Sequence, residues 1–438
     1  MQSLRKKRIA TKNNFNPCFM QLLKNNAITI LLLLSVIATN AQSFTPHPDN
    51  PILPLSFVNP GTWNDPCVIK QGDTYWMYAS SKNGVDIFDG EVVPYLLTSS
   101  DGISWTLYDS TSLLSTSADT AAWDYSAIET PSVVFFEGEY HLYYTAIAKS
   151  GIFAIGHATS FDGINWNKED IILTPTNIFD DWMSYLVGEP GAVVYHDKLY
   201  LYFTGVGNRF DAPAPAGKSV IGLIISDDGF NFGTPQQVLE QGLMYPPAEN
   251  FYGYSTPFPI VLNDTLHLFF DVAQEDPEWL QVAIHHAYSA DGINDFIQDD
   301  VAIFHKDDFD WTQREIRAPA VLADEGQLKM WFCGDDIFAT AKWGIGYAWS
   351  NDFAVNNTEF ITEPITIFPN PANDYLTIKS NEQWDIFTLT DLTGKIILRY
   401  HFQGEKSIPL MGLPSGIYIA HFMQNNKITK TEKISIIH

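Results

Sequence analysis

Five stretches of the chain share one pattern of apolar and polar positions. In each, a proline precedes an alternating apolar strand, a short polar turn and a second strand rich in aromatic residues. Alternation predicts β-strands with one buried face, and the short turn joins them as a hairpin. The prolines that open the five copies, spaced by 65, 59, 67 and 62 residues, are Pro66, Pro131, Pro190, Pro257 and Pro319.

A second phrase follows each copy and predicts a second hairpin. It keeps a serine and, two positions later, an aspartate, which is followed by glycine in four of the five copies. Asp-Gly between strands indicates a tight turn, because glycine accepts positive φ and aspartate bonds to its own backbone. Each unit thus holds four strands, as a propeller blade does. The shared serines are Ser99, Ser160, Ser226, Ser289 and Ser350.

The five units predict a five-bladed β-propeller from about Pro60 to about Glu359, with residues 44–58 as a candidate closing strand. A solenoid of similar repeats is the alternative, but the chain lacks the capping repeats that a solenoid needs. After Glu363 short alternating strands, frequent lysine and turn signals predict a separate small β-sandwich of about seven strands. The predicted fold class is all-β, a propeller followed by this C-terminal sandwich.

The N-terminal segment predicts export. Basic residues precede an apolar run from Ala27 to Ala38, and small residues suit cleavage before Gln42. The run is short for a spanning helix, and a membrane anchor is the alternative. We therefore expect a protein that crosses the periplasm, is secreted or reaches the cell surface, and has no membrane span after processing. The predicted domains are a signal peptide (1–41), the propeller (42–359), a linker (360–364) and the C-terminal domain (365–438).

Composition narrows the classes of ligand. Aromatic residues make up 14% of the chain, and its formal net charge is −26. Such a charge repels nucleic acid and anionic membranes, whereas aromatic side chains suit flat ligands. Two cysteines, Cys67 and Cys333, follow the signal, so there is no disulfide framework. Their blades are adjacent in a closed ring, but buried free thiols are the favoured interpretation.

The starts of the innermost strands converge in a propeller, so residues just before each repeat proline should face one another. Three carboxylates and an arginine in such places predict a site, since charges rarely converge in a dry place without a use. Capping of strand starts is the alternative. Glycoside cleavage uses this set, with one carboxylic acid, one carboxylate and a third that tunes the acid. The charged residues are Asp65, Glu129, Glu189 and Arg317.

The tail resembles the type A C-terminal sorting domain of the type IX secretion system. The resemblance implies that the type IX machinery is a partner, that the protein crosses two membranes, and that the tail is later removed. The motifs that carry it are Phe368-Pro369-Asn370-Pro371, Asp391-Leu392-Thr393-Gly394-Lys395, Leu413-Pro414-Ser415-Gly416-Ile417-Tyr418 and Lys433-Ile434-Ser435.

The repeat region resembles the five-bladed glycosidases of families 43, 32, 62, 117 and 130, most closely at Trp63-Asn64-Asp65-Pro66. The resemblance implies Asp65 as base or nucleophile, Glu189 as acid and Glu129 as supporting carboxylate. The chain departs from the family pattern, because Glu189 lies one residue before its proline and Glu129 lies two before. The two glutamates therefore remain exchangeable in role.

Aromatic residues in the loops before the inner strands predict stacking on sugar rings, with Arg317 orienting a carboxylate or a hydroxyl. No cofactor is required, although His285 or His286 at the axis is a candidate neighbour of a structural Ca²⁺. We expect a secreted glycosidase acting on plant- or algal-type glycans; a non-catalytic carbohydrate-binding propeller is the alternative. The predicted substrate-binding aromatic residues are Trp63, Trp123, Tyr125, Trp182, Tyr185 and Tyr254.

Overall fold

A computed structural model gives the fold of most of the chain beyond the predicted signal peptide. The residues that it describes form strands and one short 3-10 turn at Lys306–Asp308. Among these described residues no helix is long and apolar enough to cross a membrane. The predicted signal peptide and linker lie outside the described residues. The described residues are 43–54, 61–83, 90–178, 181–207, 219–240, 251–275, 279–335, 343–351, 366–391, 395–424 and 427–437.

Antiparallel pairing divides the described strands before residue 351 into five groups. Single parallel pairs, Val92 with Ala127 and Ser219 with Gly253, join the first group to the second and the third to the fourth. The first two groups are β2 (Asn64–Gln71), β3 (Thr74–Lys82), β4 (Val92–Ser99) and β5 (Thr106–Leu107), then β6 (Ala127–Phe136), β7 (Glu139–Ile147), β8 (Phe153–Ser160) and β9 (Asn167–Lys168). The third is β10 (Leu186–Tyr195), β11 (Lys198–Val206), β12 (Ser219–Ser226) and β13 (Gln236–Leu239). The fourth is β14 (Phe251–Leu262), β15 (Thr265–Glu275), β16 (Trp279–Ser289), β17 (Ile297–Gln298) and β18 (Phe304–His305).

The fifth group contains both early and late parts of the chain. Its strands β19 (Glu315–Asp324), β20 (Gln327–Asp335) and β21 (Gly344–Ser350) are joined by β1 (Thr45–Pro46), which pairs antiparallel with β21. The segment predicted as a closing strand therefore completes this group. The first strands of the groups also follow one another in a cycle, since β2 contacts both β6 and β19, and β10 and β14 complete the circuit.

Hydrogen bonds repeat around this cycle. The backbone NH of the residue before each repeat proline donates to a side chain on the second strand of the preceding group. Because each bond joins neighbouring groups, the set holds the inner strands in a fixed relation. The five bonds are Thr130 to Ser80 Oγ (3.0 Å), Glu189 to Thr145 Oγ1 (2.7 Å), Thr256 to Thr204 Oγ1 (3.1 Å), Ala318 to Asp271 Oδ2 (3.2 Å) and Asp65 to Cys333 Sγ (3.1 Å).

The predicted Asp-Gly turns form a second set of links between groups. An aromatic side chain on the second strand donates to the carbonyl of the turn glycine in the next group. The fourth group carries Phe269 at this position, and the turn phrase that follows it has Phe353 in place of glycine. The donors are Tyr78 to Gly163 (2.9 Å), Tyr143 to Gly229 (2.7 Å), Tyr202 to Gly292 (2.5 Å) and, through Nε1, Trp331 to Gly102 (2.8 Å).

The tail forms one five-stranded sheet in the described residues, where the sequence predicts about seven strands. The difference arises because two pairs of predicted strands are continuous, with register shifts near Lys379 and Gln383 in place of turns. Leu376, Phe387 and Ile434 are among the residues of its apolar core. The strands are β22 (Thr366–Phe368), β23 (Tyr375–Thr390), β24 (Ile396–Pro409), β25 (Gly416–Gln424) and β26 (Lys427–Ile436).

Candidate active site

The sequence before each repeat proline builds the same local distortion in all five inner strands. Proline has no NH to donate, and the pairing register shifts at each of these positions. The residue before the proline has a left-handed backbone, which non-glycine residues rarely adopt and which clusters at functional sites. The five φ values are 49° at Asp65, 50° at Thr130, 51° at Glu189, 45° at Thr256 and 50° at Ala318.

This register assigns the charged residues to two levels. Asp65 and Glu189 occupy the left-handed position itself, whereas Glu129 and Arg317 lie one residue earlier, opposite Thr145 and Cys333 on their second strands. The four side chains therefore approach the axis from two adjacent backbone positions. The irregular proline spacing noted in the sequence is this difference in level.

A cavity lies where the inner strands begin. Its polar lining includes Asp65, Glu189, Thr130 and Thr256, and the five repeat prolines surround them. Its volume of about 30 Å³ is enough for ordered water. Two of the three predicted carboxylates thus share one water-sized space.

Asp65 is buried and paired with a cation. Arg317 Nη2 donates to its Oδ1 over 3.0 Å, which is the contact with a carboxylate expected of this arginine. The other oxygen, Oδ2, is buried without a hydrogen-bond partner within the described residues. Burial raises the pKa of Asp65, while the charge of Arg317 opposes that rise. One oxygen is thus held in place and the other can accept a proton or a hydrogen bond from a ligand.

Glu129 and Glu189 share an unusual electrostatic environment. Burial raises the pKa of each to about 7, with a further rise at Glu129 from the charge of Asp65 and at Glu189 from that of Asp271. Glu189 Oε2 also accepts a bond from the backbone NH of Thr256 over 3.2 Å. Each glutamate can therefore carry a proton near neutral pH.

Arg317 is the cation among these acids. Its guanidinium lies 4.5 Å from the ring centre of Trp343. Burial alone would lower the pKa of Arg317, but the charges of Asp65 and Glu315 raise it, so the guanidinium stays charged. A single arginine balances part of the charge of three carboxyl groups. The arrangement therefore disfavours the state in which all three acids are ionised.

Asp271 is a site residue that the sequence analysis missed. It lies on β15 directly opposite Ser255 and is 0% exposed. The hydroxyls of Ser255 and Thr256 both donate to it, and so does the NH of Ala318. Alignment of the second strands would have revealed it, because FFDV has an acid where the other repeats have the serine of MYAS, the threonines of YYTA and YFTG and the cysteine of WFCG.

The aromatic side chains predicted to hold a sugar pack mostly into the protein. Trp63 is 7% exposed and Tyr254 1% exposed, and the Tyr254 hydroxyl donates to Gln298. A buried ring cannot stack on a ligand, so the structure corrects the expectation for these two residues. The cause is blade packing, in which Trp63 meets the Tyr95 ring edge-on.

The other predicted aromatic residues differ in exposure. Trp123 covers Gly156, and Trp182 covers Gly205, where an added Cβ would lie 2.4 Å and 2.5 Å from the respective indole. Each glycine makes room for the ring, so one face of each tryptophan serves packing. Tyr125 is half-buried, and Tyr185 is exposed at 42%. Their role toward a ligand stays a prediction.

The two cysteines and the predicted axial candidates His285 and His286 lie in the core. Cys67 and Cys333 are buried and unpaired, as predicted. His286 contacts Asp299 at 3.0 Å and His267 at 2.9 Å, and the His285 ring stacks near Phe270. In the described ranges no cluster of His, Cys, Asp or Glu is arranged to hold a metal. The structural Ca²⁺ considered from the sequence stays a prediction.

Two protein-family models match the chain. Residues 128–250 match the glycosyl hydrolases family 32 N-terminal domain, and residues 366–437 match the secretion system C-terminal sorting domain. These findings confirm the resemblance of the repeat region to propeller glycosidases and of the tail to a sorting domain.

Curated relatives cover only part of the repeat region. The sucrose-6-phosphate hydrolase of Bacillus subtilis is 32% identical over 23% of this chain and 20% of its own length. A probable sucrose-6-phosphate hydrolase of Psychromonas ingrahamii is 30% identical over 35% of this chain and 27% of its own length. The chain thus spans about a fifth to a quarter of these two proteins.

Solved structures resemble the chain over most of its length. One described as a glycoside hydrolase has a TM-score of 0.54 at 14% identity, covering 78% of this chain and 98% of its own. A family 117 glycoside hydrolase of Zobellia galactanivorans has a TM-score of 0.50 at 16% identity, covering 72% and 93%. At such identities the likeness concerns the fold, which is all-β and propeller-like.

Proposed function

We propose that this protein is a secreted glycoside hydrolase with its active site at the axis of a five-bladed propeller. The observation that carries the proposal is that Asp65 and Glu189 line one cavity, while Arg317 pairs with Asp65 and the charges of Asp65 and Glu189 raise the pKa of Glu129. The five strand groups are its blades, and the cycle of inner strands is its ring. The expected substrates are plant- or algal-type glycans such as arabinosides, xylosides or galactosides.

The roles follow from charge and position. Asp65 is the base, because the charge of Arg317 opposes the rise in pKa that burial causes, and Oδ2 is left to accept a proton from water. Glu189 is the acid, because it lines the same cavity and is raised to a pKa of about 7, which keeps part of it protonated at neutral pH. The two groups then act on opposite faces of the scissile bond.

Glu129 is the supporting carboxylate in this assignment. It does not line the cavity with Asp65 and Glu189, but burial and the charges of these two residues raise its pKa. Since the pKa of Glu129 is also raised to about 7, an exchange of roles with Glu189 is the alternative assignment. The carboxyl groups supply the acid and base chemistry, and no cofactor takes part.

The sorting domain at 366–437 indicates delivery to the cell surface or beyond by the type IX machinery. We propose the signal peptide at 1–41, the propeller at 42–359, the linker at 360–364 and a removable β-sandwich at 365–438. The catalytic residues all precede the linker, so hydrolysis does not need the tail.

The test is a screen of the purified protein against chromogenic arabinosides, xylosides and galactosides and against plant and algal polysaccharides. Asp65→Asn is the matched control, because the amide keeps the shape of the side chain but is no base. Turnover that disappears in the variant supports the proposal. Binding of glycans without turnover by either protein would instead identify a carbohydrate-binding propeller.

A further inference from the structure

Among the five hydrogen bonds donated by the backbone NH before each repeat proline, one acceptor differs in kind from the others. Four of the five acceptors are the uncharged side chains Ser80, Thr145, Thr204 and Cys333. The fifth is the carboxyl group of Asp271, which is fully buried. A hydroxyl or a thiol is therefore sufficient to accept this hydrogen bond.

The carboxyl group at this position must do something that a hydroxyl cannot. Burial of an acid is costly unless partners satisfy it, and Asp271 has both Ser255 and Thr256 as additional donors. A hydroxyl would leave part of these partners without an acceptor. The additional hydrogen bonds that Asp271 accepts thus come from the residues just before the fourth repeat proline.

Thr256 connects this carboxyl group to Glu189. Its hydroxyl donates to Asp271 Oδ2, and its backbone NH donates to Glu189 Oε2 over 3.2 Å. The same NH also bonds to Thr204 Oγ1, so the threonine is restrained from three directions. A shift of Thr256 would move the donor that orients the glutamate.

We infer that Asp271 is a positioning residue for the acid of the reaction: it holds Thr256, and Thr256 aims the carboxyl group of Glu189 into the cavity. This inference rests on the proposed hydrolytic function and on Glu189 as its acid. Asp271 itself touches no substrate in this account, since it does not line the cavity.

The charges around the pair agree with this arrangement. Asp271 raises the pKa of Glu189 more than Asp65 does, and Arg317 lowers it. Burial raises the pKa of Asp271 itself, against its hydrogen bonds and Arg317, and Glu315 and Cys333 are its other titratable neighbours. Glu129 is influenced by Asp65, Arg317 and Glu189. Asp271 therefore acts on one of the two candidate acids.

The test compares Asp271→Asn with the wild-type protein on glycosides with poor and with activated leaving groups. We expect kcat to fall more than about tenfold on the poor leaving group and much less on the activated one, with KM nearly unchanged. The alkaline limb of the pH profile should move down by about one pH unit, because a lost negative charge makes Glu189 ionise earlier. Asp124→Asn, a buried acid paired with Lys168, is the matched control.

If Asp271 had only a structural role, its replacement would lower the melting temperature but change neither the leaving-group dependence of kcat nor the alkaline limb of the pH profile. That result would overturn the inference. If Asp271→Asn does not fold, Thr256→Val tests the same link, since it removes the hydroxyl and keeps the NH. Thr256→Ser should then restore the leaving-group pattern toward the wild type. Equal behaviour of the Val and Ser variants would also contradict the inference.

A direct titration separates this inference from the proposed function. Carboxyl ¹³C NMR of Glu189 needs no turnover, and we expect a lower apparent pKa in Asp271→Asn than in the wild type. Unchanged titration of Glu189 overturns the positioning role even in an active enzyme. A wild-type protein that hydrolyses no glycoside in the screen contradicts the function, whatever Glu189 does.

Discussion

The backbone NH of Asp65 donates to the Sγ of Cys333 over 3.1 Å, although 268 positions separate the two residues. The bond joins the first inner strand to the last group, so the place of the proposed base depends on closure of the ring. Cys333 therefore links closure of the cycle of inner strands to the position of the proposed base.

Replacement of Cys333 tests this closure. Cys333→Ser keeps an acceptor of the kind that Ser80 provides in the first group, and we expect a melting temperature close to that of the wild type. Cys333→Ala leaves the buried NH of Asp65 without a partner and should cost about 1–3 kcal/mol of unfolding free energy. Chemical denaturation measures both. Equal loss in the two variants would show that the bond contributes little.

Asp65→Asn should abolish turnover and leave ligand binding nearly intact, because the amide preserves shape but cannot act as a base. The paired readouts are the hydrolysis rate and calorimetric binding of a confirmed substrate.

The stereochemistry of the product, followed by NMR for the wild-type protein, reports the separation of the catalytic carboxyl groups. A separation of about 5–5.5 Å gives retention, and one of about 6.5–9.5 Å gives inversion. We expect inversion, from the resemblance to family 43. If Asp65→Asn keeps the wild-type rate, the chemistry takes place elsewhere.

Replacement of Glu189 and replacement of Glu129 should differ in how strongly the loss of rate depends on the leaving group of the substrate. Glu189→Gln removes the acid, so poor leaving groups should lose about 10²–10⁴-fold in rate while activated aryl glycosides are spared. Glu129→Gln should move the alkaline limb of the profile to lower pH more than it lowers the maximum rate, because in its proposed supporting role the negative charge of Glu129 keeps the acid protonated. The measurement is kcat against pH for both classes of substrate. If Glu129→Gln shows the leaving-group dependence, the roles are exchanged.

A buried histidine pair should make the fold sensitive to acid. His141 Nδ1 and His157 Nε2 lie 3.0 Å apart, and burial lowers their pKa to about 4 and about 3. Because a lowered folded pKa means that the neutral form is the folded one, stability should fall as pH decreases from about 6.5 toward 4. For His141 alone the loss approaches roughly 3 kcal/mol.

His157→Leu, which introduces the residue found as Leu96 at the equivalent place in the first group, should reduce this acid dependence. Urea denaturation between pH 7 and pH 4 measures the slope for both proteins. Parallel slopes would assign acid sensitivity to other groups.

Removal of the tail should leave the catalytic domain functional. A protein ending near Glu363 keeps every proposed catalytic residue, so we expect it to fold and to bind and cleave the same substrate. In a host with type IX secretion the same truncated protein should fail to reach the cell surface, because the sorting domain is gone. Surface labelling and cell fractionation provide the measurement, with the full-length protein as control. Normal delivery of the truncated protein would contradict the sorting role.

Much of the fold was determined by local sequence. Alternating strands, Asp-Gly turns and five repeat prolines predicted the hairpins, and residues just before those prolines identified Asp65, Glu129, Glu189 and Arg317. Such features depend on neighbours in the chain, so their pattern is visible without coordinates. The free state of Cys67 and Cys333 followed equally from their number and context.

Only the tertiary structure decided which side chains share a space. It brought Asp271 of a second strand to the axis, and it buried Trp63 and Tyr254 in the core where stacking on a ligand was expected. It also joined predicted tail strands through register shifts around Lys379. The physical reason is that periodicity predicts which face of a strand is buried, whereas contacts between strand groups depend on how distant parts of the chain pack together. No local pattern encodes that packing.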